Sequence, residues 1–214
     1  MAKPSYRPSP INLGANTDPY QPIERRYKIT RQLLEVLLEH RHPCTIVTKN
    51  ALIERDIDLL AQLAKDNLVY AFVSVTSLDN KLASKLEPRA SAPHRRLAAI
   101  KTLHDAGIPV GVLVAPIIPM LTDRWMEQIL ERGAANGARM AGYTVLRLPY
   151  ELKQLVREWL FATRMRGEGE FAELIKQRFA LATKKLGLAR NRDIALQSGL
   201  FMPPTPKGPQ GELF

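Results

Sequence analysis

The chain has 214 residues, 45% of them hydrophobic and 24% charged, and 31 Lys and Arg against 21 Asp and Glu give a formal net charge of +10 at pH 7. No stretch approaches the ~18 uninterrupted apolar residues of a membrane span, and MAKPSYRPSP lacks the apolar centre of a secretory signal, so a cytoplasmic protein without membrane contact is expected. The positive excess favours polyanions, nucleic acid first among them, while a single cysteine, Cys44, excludes an internal disulfide and a cysteine-based zinc site.

Apolar runs alternate with helical periodicities along the chain. Residues 11–14 read as a short strand, followed by the turn-rich loop GANTDPYQPIE. Leu33, Leu34, Leu37 and Leu38 form one stripe of a helix over residues 30–40. The run CTIVTK (44–49) is a strand; Cys44 opens it with no His, Asp or Glu at ligand spacing and reads as a core residue. A helix over 56–65 leads to a strand at 71–76. A helix over 93–106 then follows, with Pro93 in its first turn and Gly107 beyond its end. The strand VGVLVAP (110–116), a helix over 124–136 closed by Gly137, a strand at 143–148 and a helix over 149–160 complete the pattern.

Five strands, each followed by a helix, predict an α/β fold with parallel strands joined by right-handed crossovers. Neither GxGxxG nor GxxxxGK[ST] occurs, which favours a partial (β/α) barrel over a nucleotide-binding open sheet. The barrel is assigned to residues 1–160. A basic helical segment follows at 161–196, with Leu174, Ile175, Arg178, Phe179 and Ala182 on one side of a helix over 171–186. A flexible Pro/Gly-rich tail is expected at 197–214.

In parallel α/β folds, ligands sit at the carboxyl ends of the strands. Asn16, Thr17 and Asp18 lie at the first such end, where they could ring an ammonium group or simply cap the next helix. Lys49 follows the second strand, Ser74 and Thr76 lie in the third, and Arg147 lies near the end of the fifth. A cation facing a hydroxyl suits a carboxylate, so together these positions would hold an α-amino acid.

Three segments, GANTDPYQPIE, IVTKNALIERDIDLL and VSVTSLDNKLASKLEPRASAPHRRLAAIKTLHDAGIPVGVLVAPIIPMLTD, resemble the radical SAM proteins related to spore photoproduct lyase, often described as DNA-repair photolyase-like. The resemblance runs over residues 6–187. It implies a partial (β/α) barrel that uses S-adenosylmethionine and a [4Fe-4S] cluster to make a 5′-deoxyadenosyl radical, and a lyase-like activity. It implies that Asn16, Thr17 and Asp18 lie near the methionine ammonium, and Lys49 and Ser74 near its carboxylate. Val114, Ala115, Pro116 and Ile117 would form the adenine slot with Leu146, Arg147 and Leu148. Glu87 and Arg89 in LEPR match a family signature without an assigned role, and a structural ion pair explains them equally well.

The family's cluster needs three cysteines in a CxxxCxxC loop, whereas this chain has one, on a later strand. The first βα unit of the pattern also has no counterpart here. The chain therefore reads as a gene fragment, or else as a degenerate protein, that performs no radical chemistry by itself and exposes one sheet edge. The alternative function is a non-catalytic basic module that contacts DNA through residues 164–192. At the end of the tail, QGELF resembles the Q-x-x-L-F peptides that bind the sliding clamp, with Gln210, Leu213 and Phe214 as the matching residues. Anaerobic reconstitution with iron and sulfide should leave the purified chain without cluster absorbance; about four irons per chain would overturn this.

Overall fold

A repeated βα pattern must build parallel neighbours through helical returns, because a hairpin cannot bring a strand back in parallel. The computed structural model describes residues 3, 5–146, 170–190 and 193–204. Its strands are β1 (Ile11–Leu13), β2 (Cys44–Thr48), β3 (Val69–Ser74), β4 (Val110–Ile117), β5 (Met140–Val145) and β6 (Ala189–Arg190). Its α-helices are α1 (Glu24–Tyr27), α2 (Ile29–Glu39), α3 (Ile57–Lys65), α4 (Asn80–Leu86), α5 (Pro93–Asp105), α6 (Met126–Ala135) and α7 (Glu170–Leu186). All six strands form one sheet in the order β1-β2-β3-β4-β5-β6, each parallel to its neighbours. Strand order equal to chain order is that of a barrel wall; a doubly wound sheet reverses direction at a switch point. The fold is the α/β partial barrel expected from the sequence.

Several boundaries differ from those that hydrophobicity suggests. β3 begins at Val69 and β5 at Met140, ahead of residues 71 and 143. Met140, Ala141 and Gly142 have little intrinsic strand character, but the open edge of β4 pairs them with Gly111, Val112 and Leu113. β6 raises the strand count from five to six; two residues carry no alternation to announce it, and β5 holds them. No periodicity announces α4, which forms because the Asp79 side chain accepts from the N–H groups of Lys81 and Leu82.

Successive side chains on each strand point to opposite faces. On one face Ile46, Ala71, Val73, Val112 and Ala141 meet Leu34, Leu60, Leu63, Ile100, Leu103 and Ile129 in the main core. On the other, Tyr70, Phe72 and Met140 pack with Val47, Leu113, Ile194 and Leu196. Gly111 pairs with Phe72, and a Cβ there would strike the Phe72 ring. The glycine thus lets the ring lie across the sheet.

The chain around Gln197 is ordered, contrary to the expected start of the flexible tail. Gln197 N donates to Asn67 O at 2.9 Å, Asn67 Nδ2 to Ala195 O at 2.9 Å and Met202 N to His40 O at 2.9 Å. The Phe201 ring packs on Tyr6 and His42 at centroid distances of 5.4 and 5.3 Å. These partners precede β2 and β3, so the segment crosses the amino ends of the strands, where one aromatic ring and a few backbone hydrogen bonds offset its polar, proline-rich composition. Gln210, Leu213 and Phe214, the helix expected at 149–160, and Arg147, Arg164, Arg166 and Arg192 lie outside the described residues.

Among the described residues β1 ends the sheet, and α2 exposes Ile29, Leu33 and Val36. No described helix is long and apolar enough to cross a membrane.

Candidate functional site

The loop after β1 turns at Gly14, whose φ of +104° suits only glycine and whose Cβ would collide with the Val47 carbonyl. This close approach sets Asp18 against the end of β2. Asp18 Oδ1 accepts from Tyr20 N at 2.8 Å and Thr48 Oγ1 at 2.7 Å, and Oδ2 accepts from Lys49 N at 2.7 Å. Three of the roughly four acceptor positions of a carboxylate are thereby used within the chain. Glu24 caps α2, accepting from Ile29 N and Thr30 N at 3.1 Å each, and Thr30 Oγ1 donates to Pro19 O. The acidic residues of TDPYQPIE thus satisfy backbone donors.

A second carboxylate, Glu87, stands where the chain leaves α4. Its Oε1 lies 2.6 Å from Lys49 Nζ and accepts from Thr76 Oγ1 at 2.8 Å, while Oε2 lies 2.7 Å from Arg96 NH2. The Arg96 contact is a charge pair without hydrogen-bond alignment, so Oε2 lacks a well-directed donor. Arg96 is 1% exposed; its Nε donates to Ser91 O at 2.6 Å and its NH1 to Ser74 O at 3.1 Å. Ser91 in turn donates to Asn50 Oδ1 at 3.0 Å, accepts from Ala51 N at 2.9 Å, and gives its own N–H to Lys49 O at 3.1 Å. LEPRAS is therefore stapled onto TKN. Burial acts to raise the Glu87 pKa, but the charges of Arg96 and Lys49 and the hydrogen bonds from Lys49 and Thr76 outweigh it, so the carboxyl titrates below its ordinary range.

Between these two carboxylates lies a cleft of about 310 Å³ lined by Asp18, Gln21, Lys49, Asn50, Glu87 and Arg89, among others. Asp18 and Lys49 thus meet as expected, joined by the LEPR residues. Asn16 and Thr17 are exposed on the same loop and do not line the cleft. Ser74 is buried and donates to Ala115 O at 2.8 Å. Its proton is spent across the gap that opens beyond Leu113, where the register of β4 with β5 shifts between Val114 and Ile117. Val114 and Ile117 belong to the main core, Pro116 follows a cis peptide bond, and the Leu146 N–H donates to Ile117 O at 2.8 Å. Val114, Ala115, Pro116 and Leu146 share the carboxyl edge of the sheet, but none lines the cleft.

Sequence reasoning missed Arg96 and Ser91. The available signal was an arginine beside Leu97 and four residues before Ile100, on the side of α5 that faces the core. In the basic segment, Arg178 is committed to Glu127 through two contacts of 2.8 Å and to Asp123 at 3.1 Å, which ties α7 to α6.

The radical SAM superfamily model matches residues 10–133. The chain belongs to the radical SAM superfamily. An uncharacterized protein of Mycobacterium tuberculosis (strain H37Rv) is 34% identical over 179 residues, covering 83% of this chain and 52% of that protein. The chain thus spans about half the length of the curated relatives it matches. A spore photoproduct lyase mutant with bound AdoMet and dinucleoside spore photoproduct has the same fold, with a TM-score of 0.64 at 17% identity over 86% of this chain and 61% of that one. Streptococcus suis SuiB aligns with a TM-score of 0.54 at 16% identity, covering 78% of this chain and 36% of that one.

Members of the superfamily typically use S-adenosylmethionine with a [4Fe-4S] cluster. The residues present do not fit the cluster. Cys44 opens β2, at the end of the strand away from the cleft, and burial pushes its thiol up to about 12. Among the described residues no three His, Cys, Asp or Glu side chains are placed to hold a metal. The amino-acid end of S-adenosylmethionine does fit the cleft, whose lining offers both acids and bases.

A carboxyl held below its ordinary range stabilises the fold above its unfolded pKa of about 4.3, and this contribution is lost as pH falls through the folded value. Glu87→Gln should therefore cost about 3 kcal/mol at neutral pH, because it leaves the buried Arg96 unpaired. Melting curves of the wild type and variant should converge under acid conditions. A constant gap between them would show that the Glu87 charge is not what stabilises the site.

Proposed function

We propose that the chain is the S-adenosylmethionine-binding barrel of a spore photoproduct lyase-like radical SAM enzyme, and that these 214 residues alone are catalytically inactive. The observation that carries this reading is the single cleft at the carboxyl edge of a superfamily barrel, in which Lys49 stands among Asp18, Glu87 and Arg89. S-adenosylmethionine places its methionyl end there, with its carboxylate on Lys49, and its adenine toward β4 and β5 along Ala115, Pro116 and Leu146. The cluster ligands come from polypeptide other than this chain, in keeping with its coverage of half of its relatives. Calorimetry with S-adenosylhomocysteine should give roughly millimolar binding for the wild type and none for Lys49→Ala. Identical heats would remove Lys49 from the site.

A second role, contact with the DNA backbone through residues 164–192, is supported by Lys184 and Lys185, which are exposed at the end of α7. Such binding releases counterions, so its affinity should fall steeply with salt and be indifferent to sequence. Reversal of Arg164, Arg166, Lys184 and Lys185 to Glu should abolish gel shifts at low salt. Unchanged affinity would exclude the segment as the contact.

A further inference from the structure

The Lys49 peptide unit is pinned on both sides: its N–H donates to Asp18 Oδ2 at 2.7 Å and its carbonyl accepts from Ser91 N at 3.1 Å. Its ammonium has a single charged partner among the described residues, Glu87 Oε1 at 2.6 Å, and the side chain remains 32% exposed. Glu87, by contrast, is 10% exposed and does not depend on Lys49. Thr76 donates to it at 2.8 Å, and the fully buried Arg96 faces its other oxygen at 2.7 Å. One member of the pair is fixed and the other is tethered only at its base. The empty cleft is thus self-neutralised by a contact that can open without stranding Glu87, and the poorly directed Arg96 contact leaves the carboxylate further capacity to accept.

Asp18 is the less suitable ammonium acceptor, because three donors of the chain already occupy it. We propose that Glu87 is the ammonium acceptor of an α-amino acid zwitterion, and that Lys49 exchanges Glu87 for the zwitterion's carboxylate when the ligand enters. A ligand with an ammonium and a carboxylate on one carbon replaces each half of the opened ion pair with a new one, so no charge in the cleft is left uncompensated. A simple anion would leave Glu87 facing it, and a simple cation would leave Lys49 unpaired. Arg89, exposed at the rim of the same cleft and without an ion-pair partner among the described residues, adds a second positive charge on the carboxylate side. The inference rests on the reading of the cleft as the methionyl subsite, and it moves the ammonium from Asp18 to Glu87.

The test is titration of the chain, followed by backbone amide NMR shifts, with L-methionine, N-acetyl-L-methionine and S-adenosylhomocysteine. Wild-type protein should bind L-methionine at least about tenfold more tightly than the N-acetyl derivative, which has no ammonium. Glu87→Gln should lose that preference, while its binding of N-acetyl-L-methionine is unchanged or tighter because Lys49 is released. Equal binding of the two methionine ligands by the wild type overturns the proposal. So does undiminished L-methionine binding by folded Glu87→Gln, or no binding of L-methionine at all. If the variant does not fold, the wild-type comparison decides alone. L-Methionine binding with the expected preference but no binding of S-adenosylhomocysteine would refute the S-adenosylmethionine reading and leave the zwitterion site standing. Binding of S-adenosylhomocysteine without the ammonium preference would do the reverse.

Discussion

The carboxyl edge of the sheet depends on one carboxylate, Glu87, and on the buried guanidinium that holds it. Parallel strands leave their carboxyl ends without turns to join them, so each end must be fixed by whatever the following loop supplies. Here Arg96, from the first turns of α5, reaches the Ser74 carbonyl at the end of β3, the Ser91 carbonyl of the LEPRAS loop and Glu87. Glu87 reaches Lys49 at the end of β2 and Thr76 beyond β3. Burying an arginine is costly, and the cost is offset only because carbonyl groups and a carboxylate surround it. Removal of either charge leaves the other buried without compensation, so the strand ends and the cleft stand or fall together.

Asp18 performs the matching task one strand earlier. Its carboxylate closes a turn on Tyr20 and seizes the last residue of β2 and the next N–H, which brings the loop after β1 to the cleft wall. The two acids thus divide the work differently. Asp18 is saturated by hydrogen bonds from its own chain and acts as a fastening. Glu87 balances two cations, one buried and one movable, and so remains able to respond to a charged ligand.

Farther along the edge, β3 and β4 part after Leu113, and the hydroxyls of Ser74 and Thr76 reach the Ala115 carbonyl in place of ladder hydrogen bonds. This parting lets β4 turn away before rejoining β5 through Leu146 and Ile117. Ser74, which resemblance places beside a carboxylate, is in this arrangement a tie between strands. At the opposite end of the sheet, Ile194, Leu196 and Phe201 cover ring surfaces that would otherwise be wet. The chain's last described turn therefore belongs to the floor of the barrel, not to its reactive rim.

The sequence by itself determined the architecture, because alternating short apolar runs and helical stripes leave few ways to bury both, and crossovers of that length demand parallel strands. It also determined that Asp18 and Lys49 lie at strand ends, since turn-formers and a cation directly after apolar runs can fall nowhere else, and that one thiol cannot bind a four-iron cluster. It carried no sign of β6, whose two residues owe their strand geometry to pairing with β5. Nor did it assign the roles of the acids. Asp18, Glu24 and Glu87 are chemically alike in a string of letters, and only packing decides which donors approach each carboxylate. Arg96 is the clearest case. On the core face of a helix it breaks the apolar pattern, and its purpose becomes visible only when Ser74, Glu87 and Ser91, remote from one another in the strand–helix order, converge on one guanidinium.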